Sequence, residues 1–354
     1  MPGRLLQGRW LYVGLFLVVI FLYARLFTMG SPLKMLEEAK REQAHAPTVV
    51  VPKSSASSEI TLAELAAASE RHHGLGLLLV GWSLLSLGLG LGGLVLTIRA
   101  WQRGQLRQLF QYRSHLQHWW SMNDVGRLLV LLALIFSLFP FVSLGLVAWG
   151  VLRIADTHLW MLLAMLLLEG FLILFVWGFA SSRHVPLSST LGLSWRAGPR
   201  AIWHGLVTYV TVFPWIFGLL WLLSQLCQWF AIQPPTEPIQ ELLFEQHESA
   251  IVGLTVALSC VAGPIAEEIF FRGIVFTALR RHTSRVLAML VSASVFSAAH
   301  TNAVGFVPIL LLGCVLAYVY ERTGSLWSSI AVHIVHNSFL VGLALTMKAL
   351  VGHG

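Results

Sequence analysis

Apolar residues run along this chain in long stretches, near 10–29, 75–98, 128–151, 159–180, 203–225, 250–279, 286–301, 304–321 and 326–349. A helix needs about 20 such residues to cross a hydrocarbon core of about 30 Å. The pattern therefore predicts an all-α, polytopic transmembrane helical bundle of about nine spans, the seventh and eighth short. The first run follows Arg4 and Arg9. It is longer than the apolar region of a secretory signal and no small-x-small cleavage pattern follows, so 1–30 is expected to be a retained N-terminal membrane anchor. Residues 31–74 form a polar linker, expected outside, with a flexible Ala-Pro-Thr-Val-Val-Val-Pro-Lys-Ser-Ser stretch and a short polar helix over 60–71. Residues 75–202 are expected to be accessory transmembrane helices with basic cytoplasmic loops. Residues 203–354 form the C-terminal membrane domain.

Composition agrees: 56% of the residues are hydrophobic and 11% charged, against about 25% charged in globular proteins. The net charge of +7 is mostly topological, because short cytoplasmic loops carry the arginine excess. Arg4 and Arg9 put the N-terminus inside. Arg99, Arg103, Arg107, Arg113 and Arg127 follow the second span, Arg183, Arg196 and Arg200 the fourth, and Arg280, Arg281 and Arg285 the sixth. All fall inside under alternation. The loop 226–249 lacks Lys and Arg and carries Glu237, Glu241, Glu245 and Glu248, as an outside loop can. No soluble basic domain exists to bind nucleic acid. In 99–120 arginines alternate with Trp101, Leu106, Phe110, Trp119 and Trp120, a pattern that fits either an ordinary loop or a helix among lipid headgroups. Cys227, Cys260 and Cys314 are scattered, without CxxC, which argues against a disulfide framework or a zinc cluster. Gly88 and Gly92 are a small-xxx-small pair that predicts close helix packing.

Polar residues inside the last spans carry the candidate chemistry, since a charge at the centre of a membrane helix costs about 2.5–3.5 kcal/mol. Gly263-Pro264 interrupts the sixth span before Glu267-Glu268-Ile269-Phe270-Phe271-Arg272. Proline lacks an N–H and clashes with the carbonyl four residues back, so a kink or restart is expected there, placing both glutamates near a positive dipole end. Glu268 and Arg272 have the i, i+4 spacing of a helical ion pair. Glu267, rotated about 100° from Glu268, is the freer carboxylate and the better candidate base. Later spans carry Phe296-x-x-x-His300 and His333-x-x-x-Asn337, with His336 beside Asn337. Counted from the arginines, Glu267 and His300 lie at similar depth, about 20 Å from the inner boundary at 1.5 Å per residue. A lone Glu169 in the fourth span either faces this cavity or bonds a neighbouring helix.

A carboxylate and an imidazole converging on one water can deprotonate it, while a second imidazole and an amide can stabilise the oxyanion that develops. Such a set reads as hydrolysis of a peptide or ester without a covalent intermediate. A structural Glu268–Arg272 pair with histidines bonded to backbone carbonyls is the inert alternative.

EEIFFR, FSAAH and HIVHN resemble the EExxxR, FxxxH and HxxxN motifs of the CAAX-protease and bacteriocin-processing family of intramembrane endopeptidases. The likeness covers about 250–340, the motif core of a protease domain at 203–354, and implies that the catalytic core lies in the C-terminal spans. It implies that Glu267 and His300 activate water, that His333 and Asn337 stabilise the oxyanion, and that Glu268 and Arg272 support the site. It implies a peptide or protein substrate at the bilayer, membrane-associated or prenyl/CAAX-like, in protein maturation or bacteriocin processing and immunity. With the low lysine content, it suggests a bacterial inner membrane. No cofactor is expected. Zinc on Glu267, His300 and His333 is the alternative, but the HExxH pair of a zincin is absent. A catalytically idle binding or immunity protein and a proton-coupled transporter are the competing functions. The motif residues are all retained, against the first, and no second copy of them suggests an inverted repeat, against the second.

Overall fold

The computed structural model describes residues 9–28, 71–105, 116, 119–149, 157–232, 243, 248–300 and 304–351. Among them the regular elements are helices: α1 (Arg9–Thr28), α2 (His73–Gln102), α3 (Met122–Ala148), α4 (Thr157–Ser182), α5 (Gly198–Trp229), α6 (Ser249–Arg280), α7 (Arg285–Ala299), α8 (Phe306–Thr323) and α9 (Leu326–Val351). Seven of these, α2 to α6, α8 and α9, are long and apolar enough to cross a membrane. The other two carry shorter apolar segments, Leu11–Leu22 and Arg285–Ala299. Among the described residues the nine expected spans are thus seven full ones and two helices with shorter apolar segments. Residues 31–70 of the linker, most of 99–120, and Glu237, Glu241 and Glu245 lie outside the described residues.

Two compact units are present, Met1–Ala67 with Gly126–Thr157, and Ala68–Val125 with His158–Gly354. In the first, the Arg127 guanidinium lies over the Tyr12 ring at 5.5 Å. The second contains the motif helices. Its centre is α5, which packs against α2, α8 and α9 through Tyr209, Phe213, Ile216, Leu312, Leu316, Val332 and Phe339. Outward-facing Leu77, Leu84, Leu87 and Leu91 on α2 are exposed, as a lipid-facing surface requires.

The close approach of α2 to α5 occurs at Gly93 rather than at the Gly88–Gly92 pair. A Cβ on Gly93 would run into the Val210 carbonyl and stand 2.6 Å from Pro214 Cδ, whereas one on Gly88 would meet nothing within 4 Å. The arginines of the basic loops also do more than set topology. Fully buried Glu321 accepts from Arg280 Nε at 3.2 Å, Arg280 Nη2 at 3.1 Å and Arg285 Nε at 3.0 Å. These bonds fasten the ends of α6, α7 and α8 together. Likewise Arg183 donates to Asp124 Oδ1 at 3.0 Å, and Arg281 to the Trp120 carbonyl at 3.3 Å.

Helix α6 does not restart at Pro264. It runs on, widening to π-helix over Leu258–Ala262, returning to α over Gly263–Glu267, and widening again over Glu268–Phe276. The Gly263 N–H reaches back five residues to the Leu258 carbonyl. A wider turn relieves the clash of the proline ring with the preceding carbonyl, so the chain stays helical. Glu267 and Glu268 therefore lie inside a continuous helix rather than at a positive end. Side chains, not a helix dipole, must satisfy them.

Candidate active site

Glu268 and Arg272 form the base of the site. Both are fully buried, with Arg272 Nη1 2.7 Å from Glu268 Oε1. The other arm of the guanidinium donates to the Gly313 carbonyl of α8 at 3.2 Å, and its carbon lies 4.3 Å from the centre of the Phe296 ring. Each charge alone would be costly to bury; together, with further hydrogen bonds, they hold each other. The same Glu268 Oε1 lies 3.0 Å from His333 Nδ1 on α9. An ionised carboxylate only accepts, so Nδ1 carries the hydrogen. That leaves Nε2 directed to Glu267, 3.8 Å from its Oε2, too long for a direct hydrogen bond.

Glu267 and Glu268 are adjacent in sequence but differ in access. The Glu267 side chain is 36% exposed and that of Glu268 is 0%, as expected of residues that point to different sides of one helix. Glu267 is thus the carboxylate that a water or substrate can reach.

His300 closes the last turn of α7, where its Nδ1 donates to the Phe296 carbonyl at 2.9 Å. In the neutral ring this leaves Nε2 as the proton acceptor. Phe296 is fully buried and its ring contacts both motif histidines, with centroids 4.8 Å from His300 and 5.7 Å from His333. The phenylalanine of the FxxxH pattern is therefore a spacer that Arg272 and both imidazoles pack against. The sequence placed this residue in a motif without giving it that role.

Asn337 donates through Nδ2 to the Ser259 carbonyl at 2.8 Å. In the π register of this part of α6, the N–H at position 264 would be the partner of that carbonyl, and proline has none. Asn337 fills the gap. The Gly-Pro of α6 and the asparagine of α9 are thereby linked, and the second N–H of the amide remains for another acceptor. His336 turns away from this group: its Nδ1 is 3.0 Å from the hydroxyl of Tyr209 on α5 and its ring packs against Phe217.

The structure therefore brings Glu267, Glu268, Arg272 and His333 together in direct succession. His300 is joined to them through Phe296, and among the described residues no hydrogen bond or ion pair links it to Glu267. A further carboxylate arrives from α4. Glu169 Oε1 would stand 3.5 Å from a Cβ on Gly263, and Glu267 Oε1 3.8 Å from the same point. Its charge inside an apolar run was the only signal of it in the sequence. Among the described residues no three His, Cys, Asp or Glu side chains form a set able to hold a metal ion.

Comparison with known proteins points to the same segment. The family described as type II CAAX prenyl endopeptidase Rce1-like matches residues 250–339. The Bacillus subtilis (strain 168) protein named "Putative membrane peptidase YdiL" is 35% identical over 94 residues, 27% of this chain and 38% of that protein's length. No solved structure matches the chain. The matched residues span α6 to α9 and hold the EExxxR, FxxxH and HxxxN groups whose side chains meet in the bundle. Through residues 250–339 this integral membrane protein is similar to the CAAX-protease and bacteriocin-processing family.

Proposed function

We propose that the chain is an intramembrane endopeptidase that hydrolyses peptide bonds of membrane-associated or prenyl/CAAX-like substrates with a water activated by Glu267 and His300. The observation that carries this reading is one accessible carboxylate on α6 facing an imidazole on α9 above a fully buried ion pair, with a second imidazole at the end of α7 packed on the same Phe296 ring. In the reaction, Glu267 takes a proton from water as the oxygen attacks the scissile carbonyl, with Nε2 of His300 as the second acceptor. The tetrahedral oxyanion then accepts hydrogen bonds from His333 and from the free N–H of Asn337. His333 would donate from Nε2 when its ring is protonated, with Nδ1 held by Glu268. As the C–N bond breaks, the proton held by Glu267 passes to the leaving nitrogen.

The arginine-rich loops are assigned to the cytoplasm, with the N-terminus, in a bacterial inner membrane. Protein maturation and bacteriocin processing or immunity are the roles that suit such an activity. The test uses purified protein in lipid nanodiscs and an internally quenched peptide ending in farnesylated Cys-aliphatic-aliphatic-X, beside its unprenylated counterpart. Glu267→Gln and His300→Ala should each lower cleavage by about 100-fold or more while melting like the wild type. Near-normal cleavage by either folded variant would overturn the assignment.

A further inference from the structure

Resting on that reading, the inference concerns Glu169, which lies on α4 and outside the residues shared with the family. Its Oε1 and that of Glu267 stand 3.5 and 3.8 Å from the position a Gly263 Cβ would take. The two carboxyl groups thus come up to the same point of α6. Among the described residues, the Oε2 atoms of both Glu169 and Glu267 are shut off from solvent without a hydrogen-bond partner. The packing that delivers Glu169 is apolar, with Met161 and Leu162 of α4 set against Ile251, Leu254, Leu258 and Ala262 of α6.

Among the described residues, the cations near the pair are engaged elsewhere. Arg272 is engaged by Glu268 and by the Gly313 carbonyl. His333 bonds Glu268 and faces Glu267, His300 bonds the Phe296 carbonyl, and His336 bonds Tyr209. The remaining titratable neighbour, Cys260 of α6, is hydrogen-bonded to Ser338. Two carboxylates brought to one point of a helix repel each other when both are ionised, and the stable arrangement has one proton between them. Glu267 has His333 as a neighbour for its charge and Glu169 has none, so the proton rests on Glu169.

We infer that Glu169 is a positioning residue of the water-activating centre: a protonated carboxyl whose O–H donates to the Glu267 carboxylate and fixes which of its oxygens is free to accept from water. Through a turnover the proton of water moves to that free oxygen and then to the leaving nitrogen as the C–N bond breaks. Glu169 keeps its own proton, so the cycle closes without a co-reactant.

The experiment is infrared spectroscopy of the purified protein in lipid, because a protonated carboxyl has a C=O stretch well separated from the carboxylate bands. This readout needs no substrate, so its failure is distinct from failure of the protease reading. At neutral pH the wild type should show such a band, Glu169→Gln should lack it, and Glu267→Gln should keep it at a shifted frequency. A band unchanged in Glu169→Gln, or one unmoved by Glu267→Gln, would overturn the inference. In the cleavage assay Glu169→Gln, whose amide still donates, should stay within about threefold of wild type. Glu169→Leu should lose about tenfold or more in kcat, the size of one hydrogen bond to a charged group. A Glu169→Gln as impaired as Glu169→Leu would show that an ionised carboxylate is needed there and would equally overturn it.

Discussion

Replacing Glu268 by glutamine tests the base of the site. The carboxylate accepts from Arg272 at 2.7 Å and from His333 at 3.0 Å, and neither it nor the guanidinium is open to solvent. Removing one partner of a buried pair costs about 3–5 kcal/mol, because the remaining charge is left uncompensated. Arg272 would keep the Gly313 carbonyl at 3.2 Å and the Phe296 face at 4.3 Å, and the new amide oxygen can still accept one of its hydrogens. The loss should therefore fall near the lower end, about 3 kcal/mol. Glu268→Gln with Arg272→Met removes both charges and should recover most of that stability, since apolar replacements of buried pairs are often neutral. It should not recover cleavage, because the amide oxygen at 268 can accept from His333 Nδ1 but carries no charge to support a protonated imidazole there. Unfolding followed by heat or denaturing detergent, with cleavage measured on the same samples, checks both statements. A Glu268→Gln protein within about 0.5 kcal/mol of wild type, the usual range for surface changes, or a double variant less stable than the single one, would refute the reasoning.

Three further outcomes are expected. Gly93→Val should destabilise by about 1–3 kcal/mol through overpacking against Val210 and Pro214, whereas Gly88→Val, in open space, should leave the melting temperature unchanged. With Cys227, Cys260 and Cys314 replaced, single cysteines in 101–120 should be shielded from a membrane-impermeant thiol reagent in intact cells while those in 236–247 are labelled; reversed labelling would overturn the orientation. Cleavage should survive prolonged treatment with strong zinc chelators, and activity lost on chelation and restored by stoichiometric zinc would make the site metal-dependent.

Much of the site was legible because its chemistry is local in sequence. Charged residues inside apolar runs stand out at once, and the i, i+4 spacing of Glu268 and Arg272 gives their ion pair even though the helix there is π rather than α. Contacts between distant segments were not legible. Nothing in the spacing says that His333 pairs with Glu268 across 65 residues, that Asn337 satisfies the carbonyl left over by Pro264, or that Phe296 stands between the histidines. The expected restart at Pro264 gave way because a helix can absorb proline by widening as well as by breaking. Similarly, Arg280 and Arg285 carried a topological signal that hid their bonds to buried Glu321. The apolar runs gave the spans, but Gly93 rather than Gly88 became the point of contact because helix rotation is set by packing.

The central claim is that water activated at Glu267, and not a side-chain nucleophile, cleaves the peptide. Mass spectrometry during turnover in water enriched in oxygen-18 tests it most directly, with product peptides and intact protein measured in the same samples. The account predicts one heavy oxygen in the new carboxyl terminus, no covalent adduct on the protein at any time, and about 100-fold less labelled product, or lower, with Glu267→Gln. An acyl adduct that accumulates and then decays, or labelled product formed at the wild-type rate by Glu267→Gln, would contradict it.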